Sequence, residues 1–361
     1  MGTLYSSING MTYAPTGKPQ PVCQPGEFVF AAMALDHGHI YGQTNGLREA
    51  GGICKWVFDH DPARVATFLK TYPEAKAARS EAEILGDPEV KLVVAAAVPN
   101  LRAALGIRVM QAGKDYFTDK TPMTTLDQLA QARAAVAATG RKYLVYYSER
   151  LHVESAIFAG DLIQRGAIGK VINVIGTGPH RLGTGRPEWF FKKDQYGGIL
   201  CDIGSHQIEQ FLFFTGATDA QVTSSHVGNV ANPSTPELED FGDAHLVGDN
   251  GVTNYFRVDW LTSPGLRSWG DGRLLLLGTE GHIELRKYID ITTDNGGDQL
   301  LLVNLDGEQR IACAGTVGFP FFGRLIRDCL DRTETAMTQA HAFKAAELCL
   351  KAQAAATRVA R

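Results

Sequence analysis

From Phe28 to about Tyr147, short apolar runs alternate with longer stretches whose apolar residues recur every three or four positions. An unbroken apolar run of a few residues reads as a buried strand, and a 3.6-residue period reads as a helix. Strands are therefore predicted at Phe28–Leu35, Ile53–Phe58, Val90–Val98, Asp115–Thr118 and Tyr143–Tyr147. Helices are predicted at Ile40–Ala50, Pro62–Thr71, Leu101–Ala112 and Leu126–Ala138. Pro62 suits a first helical position, and Gly113 and Gly140 suit helix stops. Strands alternating with helices imply crossover units on a parallel sheet. Such sheets bind ligands beyond the carboxyl ends of their strands.

After residue 150 the pattern changes. Val153–Arg165 is one more helix and Ile203–Thr215 another. Val171–Thr177, Ala220–Val230, Asp243–Val247, Val252–Trp260, Arg273–Leu277, His282–Arg286 and Gln299–Leu305 read as strands joined by turns. Consecutive strands without crossover helices favour an antiparallel sheet. An alanine-rich amphipathic helix, Thr335–Arg358, closes the chain. The predicted class is α/β followed by α+β: an arm or tail at 1–26, a dinucleotide-type domain at 27–150, an α+β domain at 151–335 and a C-terminal helix at 336–361. In the arm, Tyr5, Met11 and Tyr13 suit contact with a partner subunit, and a disordered leader fits equally.

Composition narrows the function classes. The chain has 361 residues, 44% of them apolar, and a net charge of -4. No overall basic field exists to hold nucleic acid or an anionic membrane, and no apolar run is long enough to span a bilayer. Six cysteines occur without a C-x-x-C pair, which reads as buried thiols in a reducing compartment. The N-terminus lacks the pattern of a secretory signal. A cytoplasmic protein is expected.

The first strand-to-helix turn reads Asp36-His37-Gly38-His39-Ile40-Tyr41-Gly42. It departs from G-x-G-x-x-G: with Gly42 as the third glycine, His37 and His39 stand where the first two belong. Gly38 and Gly42 remain as points of close backbone approach, the helix N-terminus still offers N–H groups to an anion, and histidine can donate to phosphate. Asp59 ends the second strand, 17 residues after Gly42. A carboxylate there accepts from an adenosine ribose and repels a 2′-phosphate, favouring NAD over NADP. A cap on the helix starting at Pro62 is the competing reading of Asp59.

Two stretches carry candidate chemistry. In "AGKDYFTDKTPMTT", residues 112–125, Lys120 sits just past a parallel strand. In "YGGILCDIGSHQIEQFLFFTGA", residues 196–217, Asp202 and His206 are four apart at a helix start and share one face. Lysine, aspartate and histidine suit alcohol oxidation: an imidazole takes the hydroxyl proton, and an ammonium stabilises the developing alkoxide. Helix capping and a solvated histidine are the alternative.

These stretches resemble a known family. "GKDYFTDKTPM" resembles the G-K-x-x-x-x-E-K-P segment of the glucose–fructose oxidoreductase / inositol dehydrogenase / rhizopine catabolism (Gfo/Idh/MocA) oxidoreductases. "GGILCDIGSHQIEQ" resembles their G-G-G-x-x-x-D-x-G-x-H stretch, and "VKLVVAAAVPNLRAALGIRVMQAGK" their strand–Pro-Asn–helix segment. The resemblance implies an N-terminal Rossmann domain with a parallel sheet and a C-terminal domain with an open, mostly antiparallel sheet. It implies NAD(P)-dependent oxidation or reduction of sugars, polyols or related hydroxy compounds. By position, Lys120, Asp202 and His206 form the catalytic set, Pro99 and Asn100 line the cofactor, and Asp119 accompanies Lys120 there. A homodimer or homotetramer through the large sheet is implied. The chain departs from the pattern at the glycine turn, and Thr121 is inserted before Pro122.

Further candidates are Glu149, Arg150 and His152 in "YYSERLH", and His180, Arg181 and Trp189 in the donor-rich loop 178–194. Cations beside an aromatic suit a polyhydroxylated or carboxylated ligand. Asp36, His37 and His39, with His180, Glu149 or His206, have metal-ligand character, but H-x-H on a turn is common and no metal is expected. The expected activity is NAD-dependent hydride transfer to or from a sugar, polyol or sugar-acid hydroxyl. A redox-neutral glycosidase or lyase working through a transient keto-sugar and a non-catalytic nucleotide or sugar sensor are the alternatives.

Overall fold

The computed structural model describes residues 11, 14–18, 20–293 and 296–359. Half of the predicted arm, including Tyr5 and Tyr13, lies outside the described residues. The chain divides into two units, and each is described by itself. Of the described residues, the first unit takes 11–146 and 319–343, and the second takes 147–318 and 344–359.

The first unit is built from β1 (Val29–Met33), α1 (His39–Glu49), β2 (Ile53–Phe58), α2 (Pro62–Thr71), β3 (Lys76–Ala77), α3 (Glu81–Gly86), β4 (Val90–Ala95), α4 (Pro99–Gln111), β5 (Asp115–Asp119), α5 (Leu126–Thr139) and β6 (Tyr143–Tyr146). The strands form one sheet in the order β3-β2-β1-β4-β5-β6, and every pairing is parallel. This is the doubly wound Rossmann arrangement, with the order reversing at β1 and β4. β1 and β5 are buried along their whole length, as strands covered on both faces must be. Residues 14–18 and 20–22 pack on this same unit: Gly17 N donates to Glu49 Oε2 at 3.2 Å, and Val22 N to Ala50 O at 3.0 Å.

The second unit begins with α6 (Ser148–Leu151) and α7 (Glu154–Gln164). It continues through β7 (Val171–Pro179), α8 (Lys193–Tyr196), α9 (Ile199–Asp202) and α10 (Gly204–Thr215). Then come β8 (Ala220–Gly228), β9 (Phe241–Gly248), β10 (Thr253–Asp259), β11 (Arg273–Gly278), β12 (His282–Arg286), β13 (Gln299–Asn304) and β14 (Gly307–Ala312). Its sheet runs β14-β13-β12-β11-β7-β10-β9-β8 and is closed at one edge by β15 (Thr357–Arg358). Pairing is antiparallel except at β7–β10 and β8–β15. α10 covers one face, where the strands alternate buried and exposed residues. On the other face Val247, Ile175, Leu275 and Leu277 are exposed.

Two helices follow β14: α11 (Pro320–Asp331), which packs in the first unit, and α12 (Gln339–Ala355). α11 has no counterpart in the sequence prediction. α12 is shorter than predicted, because Thr357 and Arg358 leave the helix to pair with β8. No helix among the described residues is long and apolar enough to cross a membrane.

Close packing of α1 on α11 generates a stability test. A Cβ on Gly46 would overlap the buried Phe322 ring, whereas one on Gly86 would meet no heavy atom within 4 Å. Gly46→Ala should cost about 1–3 kcal/mol in urea unfolding, and Gly86→Ala should be neutral or gain up to about 1 kcal/mol. Equal effects would show that the α1–α11 contact does not limit stability.

Candidate functional site

At the carboxyl ends of the first unit's strands, the chain gathers its charged groups. The turn after β1 is tied to both neighbours: Ala34 N donates to Phe58 O, Ala96 N to Ala34 O and His37 N to Ala96 O, all at 3.0 Å. Ala34 takes a left-handed backbone, φ 53°, uncommon for a residue with a Cβ. α1 then starts at His39, with Gly38 as N-cap, no side-chain cap and no acidic residue in its first turn. No side chain of its own first turn therefore compensates the positive end. Gly42 is buried one turn into the helix.

Asp119, at the end of β5, is the hub of this region. It is fully buried, and its Oδ2 lies 2.8 Å from His37 Nδ1 while its Oδ1 lies 2.9 Å from His39 Nδ1. Arg102, itself 1% exposed, places Nη2 3.1 Å from Asp119 Oδ2 and Nε 2.6 Å from Ala97 O. Its Nη1 donates to the carbonyls of Lys120 and Thr121. Lys120 N donates to Asp119 Oδ1 at 2.8 Å, which fixes the backbone from which the Lys120 ammonium extends. Burial opposes the Asp119 charge, but His39, Arg102 and His37 outweigh it and hold the carboxyl well below its usual range. Burial, then His39, pushes His37 down to about 3 despite Asp119. His37 is thus neutral at neutral pH and presents its Nδ1 proton to Asp119. The donor atoms of His37, His39 and Asp119 lie within 4.8 Å of one another. The Arg102 guanidinium already supplies the countercharge that a cation would bring.

Asp59 sits in a separate part of the same edge. Its Oδ2 accepts from Leu35 N at 2.5 Å and its Oδ1 from Asp61 N at 2.7 Å. The cap of α2 is Asp61, which accepts from Ala63 N at 2.8 Å, so the capping reading of Asp59 does not hold. Asp59 instead lines a cavity of about 480 Å³ with Asp36, Arg64, Ala97 and Leu101. The lining carries four carboxylates, Asp36, Asp59, Asp61 and Glu81, against two guanidiniums, Arg64 and Arg108. His37, Gly38, His39, Gly42, Pro99 and Asn100 are outside this lining. Pro99 and Asn100 open α4, and Asn100 Oδ1 is buried with no hydrogen-bond partner among the described residues.

In the second unit Asp202 ends α9 and His206 sits in the first turn of α10, 8% and 2% exposed respectively. Gly198, φ 94°, starts this pair of helices where a Cβ would overlap Gln353. Glu149 on α6 meets Lys287 Nζ at 3.0 Å and Gln207 Nε2 at 3.2 Å, both through Oε2. His180 Nε2 lies 3.7 Å from Glu149 Oε1, and its ring packs on Trp269 and Trp260 at centroid distances of 4.6 and 5.3 Å. Arg186 stacks on Phe190 and Trp260. Burial pushes it down to about 10, and Asp202 opposes that shift.

Several sequence candidates are committed elsewhere. Arg150 is a buried partner of Glu209, with Nε 2.7 Å from Oε1, and lies 3.9 Å over the Phe213 ring. Arg181 Nη2 binds the carbonyls of Ser263, Leu266 and Ser268 and so holds that loop. Trp189 is a buried anchor against Phe190, and His152 is buried at the end of α6. Sequence reading missed Arg102, Gln207 and Lys287. An arginine in the first turns of the Ala- and Leu-rich α4 was a signal for the first; nothing in the pattern marked Lys287.

The region 45–147 matches the model of an oxidoreductase family with an NAD-binding Rossmann fold, and 158–284 matches the GFO/IDH/MocA C-terminal domain. Among curated proteins, a D-xylose dehydrogenase of Paenarthrobacter nicotinovorans is 24% identical over 46% of this chain and 47% of its own length. A scyllo-inositol 2-dehydrogenase (NADP(+)) of Bacillus subtilis is 27% identical over 48% of each. The chain spans about half the length of the curated relatives it matches. A crystal structure from Erwinia carotovora atroseptica SCRI1043, described provisionally as an oxidoreductase, is 52% identical. It covers 92% of this chain and 100% of its own, with a TM-score of 0.90.

The Asp119 cluster predicts an acid limb of stability. The unfolded chain binds a proton at His37 below pH 6.5, whereas the folded chain does not until about pH 3. The folded state therefore binds fewer protons in that window, and stability falls as pH falls through it. The slope from this one group is at most about 1.4 kcal/mol per pH unit. Urea unfolding across the window should show the loss, and His37→Gly should flatten it; an unchanged slope would remove His37 as the cause.

Proposed function

The chain belongs to the Gfo/Idh/MocA oxidoreductase family, and on that premise we propose that it is an NAD-dependent oxidoreductase acting on a sugar, polyol or sugar-acid hydroxyl. One observation carries the reading: a buried carboxylate and guanidinium hold Lys120 at the carboxyl edge of a parallel sheet that also bears an acidic cavity of nucleotide-binding size. The cofactor fits that edge by its donor set. The cavity offers carboxylates for ribose hydroxyls, α1 offers an uncapped N-terminus for an anion, and Asn100 Oδ1 is a buried acceptor in want of a donor. The excess of carboxylates over guanidiniums favours NAD over NADP.

NAD, when bound, takes up the hydride. The chain's residues manage the proton and the charge. Lys120 holds the substrate oxygen and stabilises it as negative charge develops. His206 takes the hydroxyl proton in the oxidative direction and returns it in the reverse. Asp202, one turn earlier on the same face, orients the imidazole. The redox-neutral alternative draws on Glu149, His37 and His39 as spare acid–base groups. Glu149, held down to about 2, and His37, held down to about 3, are poor proton donors near neutrality, so of the two proton roles they suit the base.

Lys120→Ala and His206→Ala should each lower kcat/KM about 10²–10⁴-fold while NAD binding by calorimetry and the unfolding midpoint stay near wild type. Full turnover in both variants would sink the assignment. NADH should accumulate with product; turnover without it would favour the redox-neutral reading. Calorimetry should give a tighter Kd for NAD than for NADP, and Asp59→Ser should narrow the gap. We also propose a homo-oligomer through the exposed sheet face. Ile175 lies beside Leu275 on one side and Tyr255 on the other. By light scattering, Ile175→Lys should release a smaller species, and an unchanged mass would remove this face as the contact.

A further inference from the structure

Glu149 and Lys287 form an ion pair closed off from water, with side chains 2% and 0% exposed. Two carbon–oxygen directions of one carboxylate are divided among three neighbours. Oε2 receives Lys287 Nζ at 3.0 Å and Gln207 Nε2 at 3.2 Å, while Oε1 faces His180 Nε2 at 3.7 Å. Gln207 directly follows His206 on α10, and His206 is among the charges that act on Glu149. Burial alone would raise the Glu149 carboxyl; Lys287, then His206, then His180 outweigh it and bring it to about 2. An ion pair this deep contributes little net stability, since an apolar pair of the same volume is often as stable or more so. Holding up the fold does not account for it.

We propose that Glu149 and Lys287 are positioning residues that set the orientation and proton affinity of His180 and His206. The proposal rests on the acid–base role given to His206 above. Gln207 transmits orientation: its amide is anchored on Glu149, and it fixes the first turn of α10 from which His206 projects. The paired charges transmit electrostatics. A carboxylate alone beside two imidazoles would raise their proton affinity, and a buried ammonium alone would lower it; together they leave a small residual field.

Other charged groups near the cluster have partners of their own, as cations or backbone amides. Arg150 is bound to Glu209 across α6 and α10. Asp202 faces Arg186 from α9. Asp298 N donates to Lys287 O at 2.7 Å, while its carboxyl accepts from Glu154 N and Ser155 N at 3.1 and 2.7 Å. Burial, together with Glu154, carries Asp298 up to about 6, against the bonds from Ser155, so it titrates in the same range as an imidazole. His180 Nδ1 lies 3.1 Å from Gly178 O, and Tyr147 packs edge-on to the His206 ring at 6.5 Å.

The test follows the two imidazoles directly, by histidine-labelled NMR titration of the full chain, alongside the pH profile of kcat/KM. Lys287→Met should move both imidazole midpoints up by about one pH unit, and Glu149→Gln should move both down by about the same. The double variant Lys287→Met/Glu149→Gln should return them toward wild type. Glu149→Asp keeps the charge but withdraws it by one methylene, and should give a smaller downward shift even if a harsher variant does not fold. Midpoints that stay put, or that move the same way in both single variants, overturn the proposal. Midpoints that move as expected while the kcat/KM limbs stay fixed would uphold the pairing and remove His206 as the acid–base group.

Discussion

A buried carboxylate with too many donors organises the first unit's functional edge. Asp119 receives two imidazoles, a guanidinium and the amide of the next residue. Ionised carboxylates have about four acceptor directions, so this set saturates it. Removing any one donor leaves the others over a buried charge that has lost part of its compensation, which costs more than the lost bond itself. The strand end, the turn after β1 and the start of α4 are thereby made mutually dependent. Through its amide, Lys120 shares in that dependence.

The second unit solves a similar problem with a closed pair. Glu149–Lys287 and Arg150–Glu209 both lie between α6, α10 and their neighbours, and each has both members buried. Hydrophobic contact could have joined these helices at less desolvation cost. Charged pairs do what apolar contact cannot: they fix direction as well as proximity. α10, which carries His206 and Gln207, is thus clamped at Glu209 and at Gln207, on either side of its imidazole.

The fold class was legible from the sequence because strand and helix periods differ and because Gly113, Gly140 and Pro62 stand at element ends; the order of strands within each sheet was not read from it. The Asp59 and Lys120 positions were legible because both follow strands. The partners were less so. Arg102, Gln207 and Lys287 reach their carboxylates across 17, 58 and 138 residues of chain, a separation that periodicity does not encode. Arg150 looked like a ligand donor because it follows the last parallel strand, and Arg181 because it sits among cations beside an aromatic; both are instead spent on Glu209 and on backbone carbonyls. α11 was overlooked for the opposite reason. Its amphipathic stretch follows the last strands of the second unit but packs in the first, with Phe321 and Phe322 5.8 and 6.4 Å from the Phe117 ring. Nothing local distinguishes a helix that leaves one unit for another.

The histidines in the first turn need not conflict with dinucleotide binding. A glycine fingerprint serves two ends: a tight turn and an unobstructed helix N-terminus. Here the turn is closed by Ala34 in a left-handed conformation and by amide bonds to both flanking strands. The imidazoles are drawn aside by Asp119, and α1 begins with neither a capping side chain nor an acidic residue. Nothing in the helix's own first turn answers the positive end of its dipole. Asp119 then does for this turn what small residues do elsewhere. It holds the bulk of His37 and His39 by their Nδ1 atoms, so that their size is a matter of where the carboxylate sits and not of the turn itself.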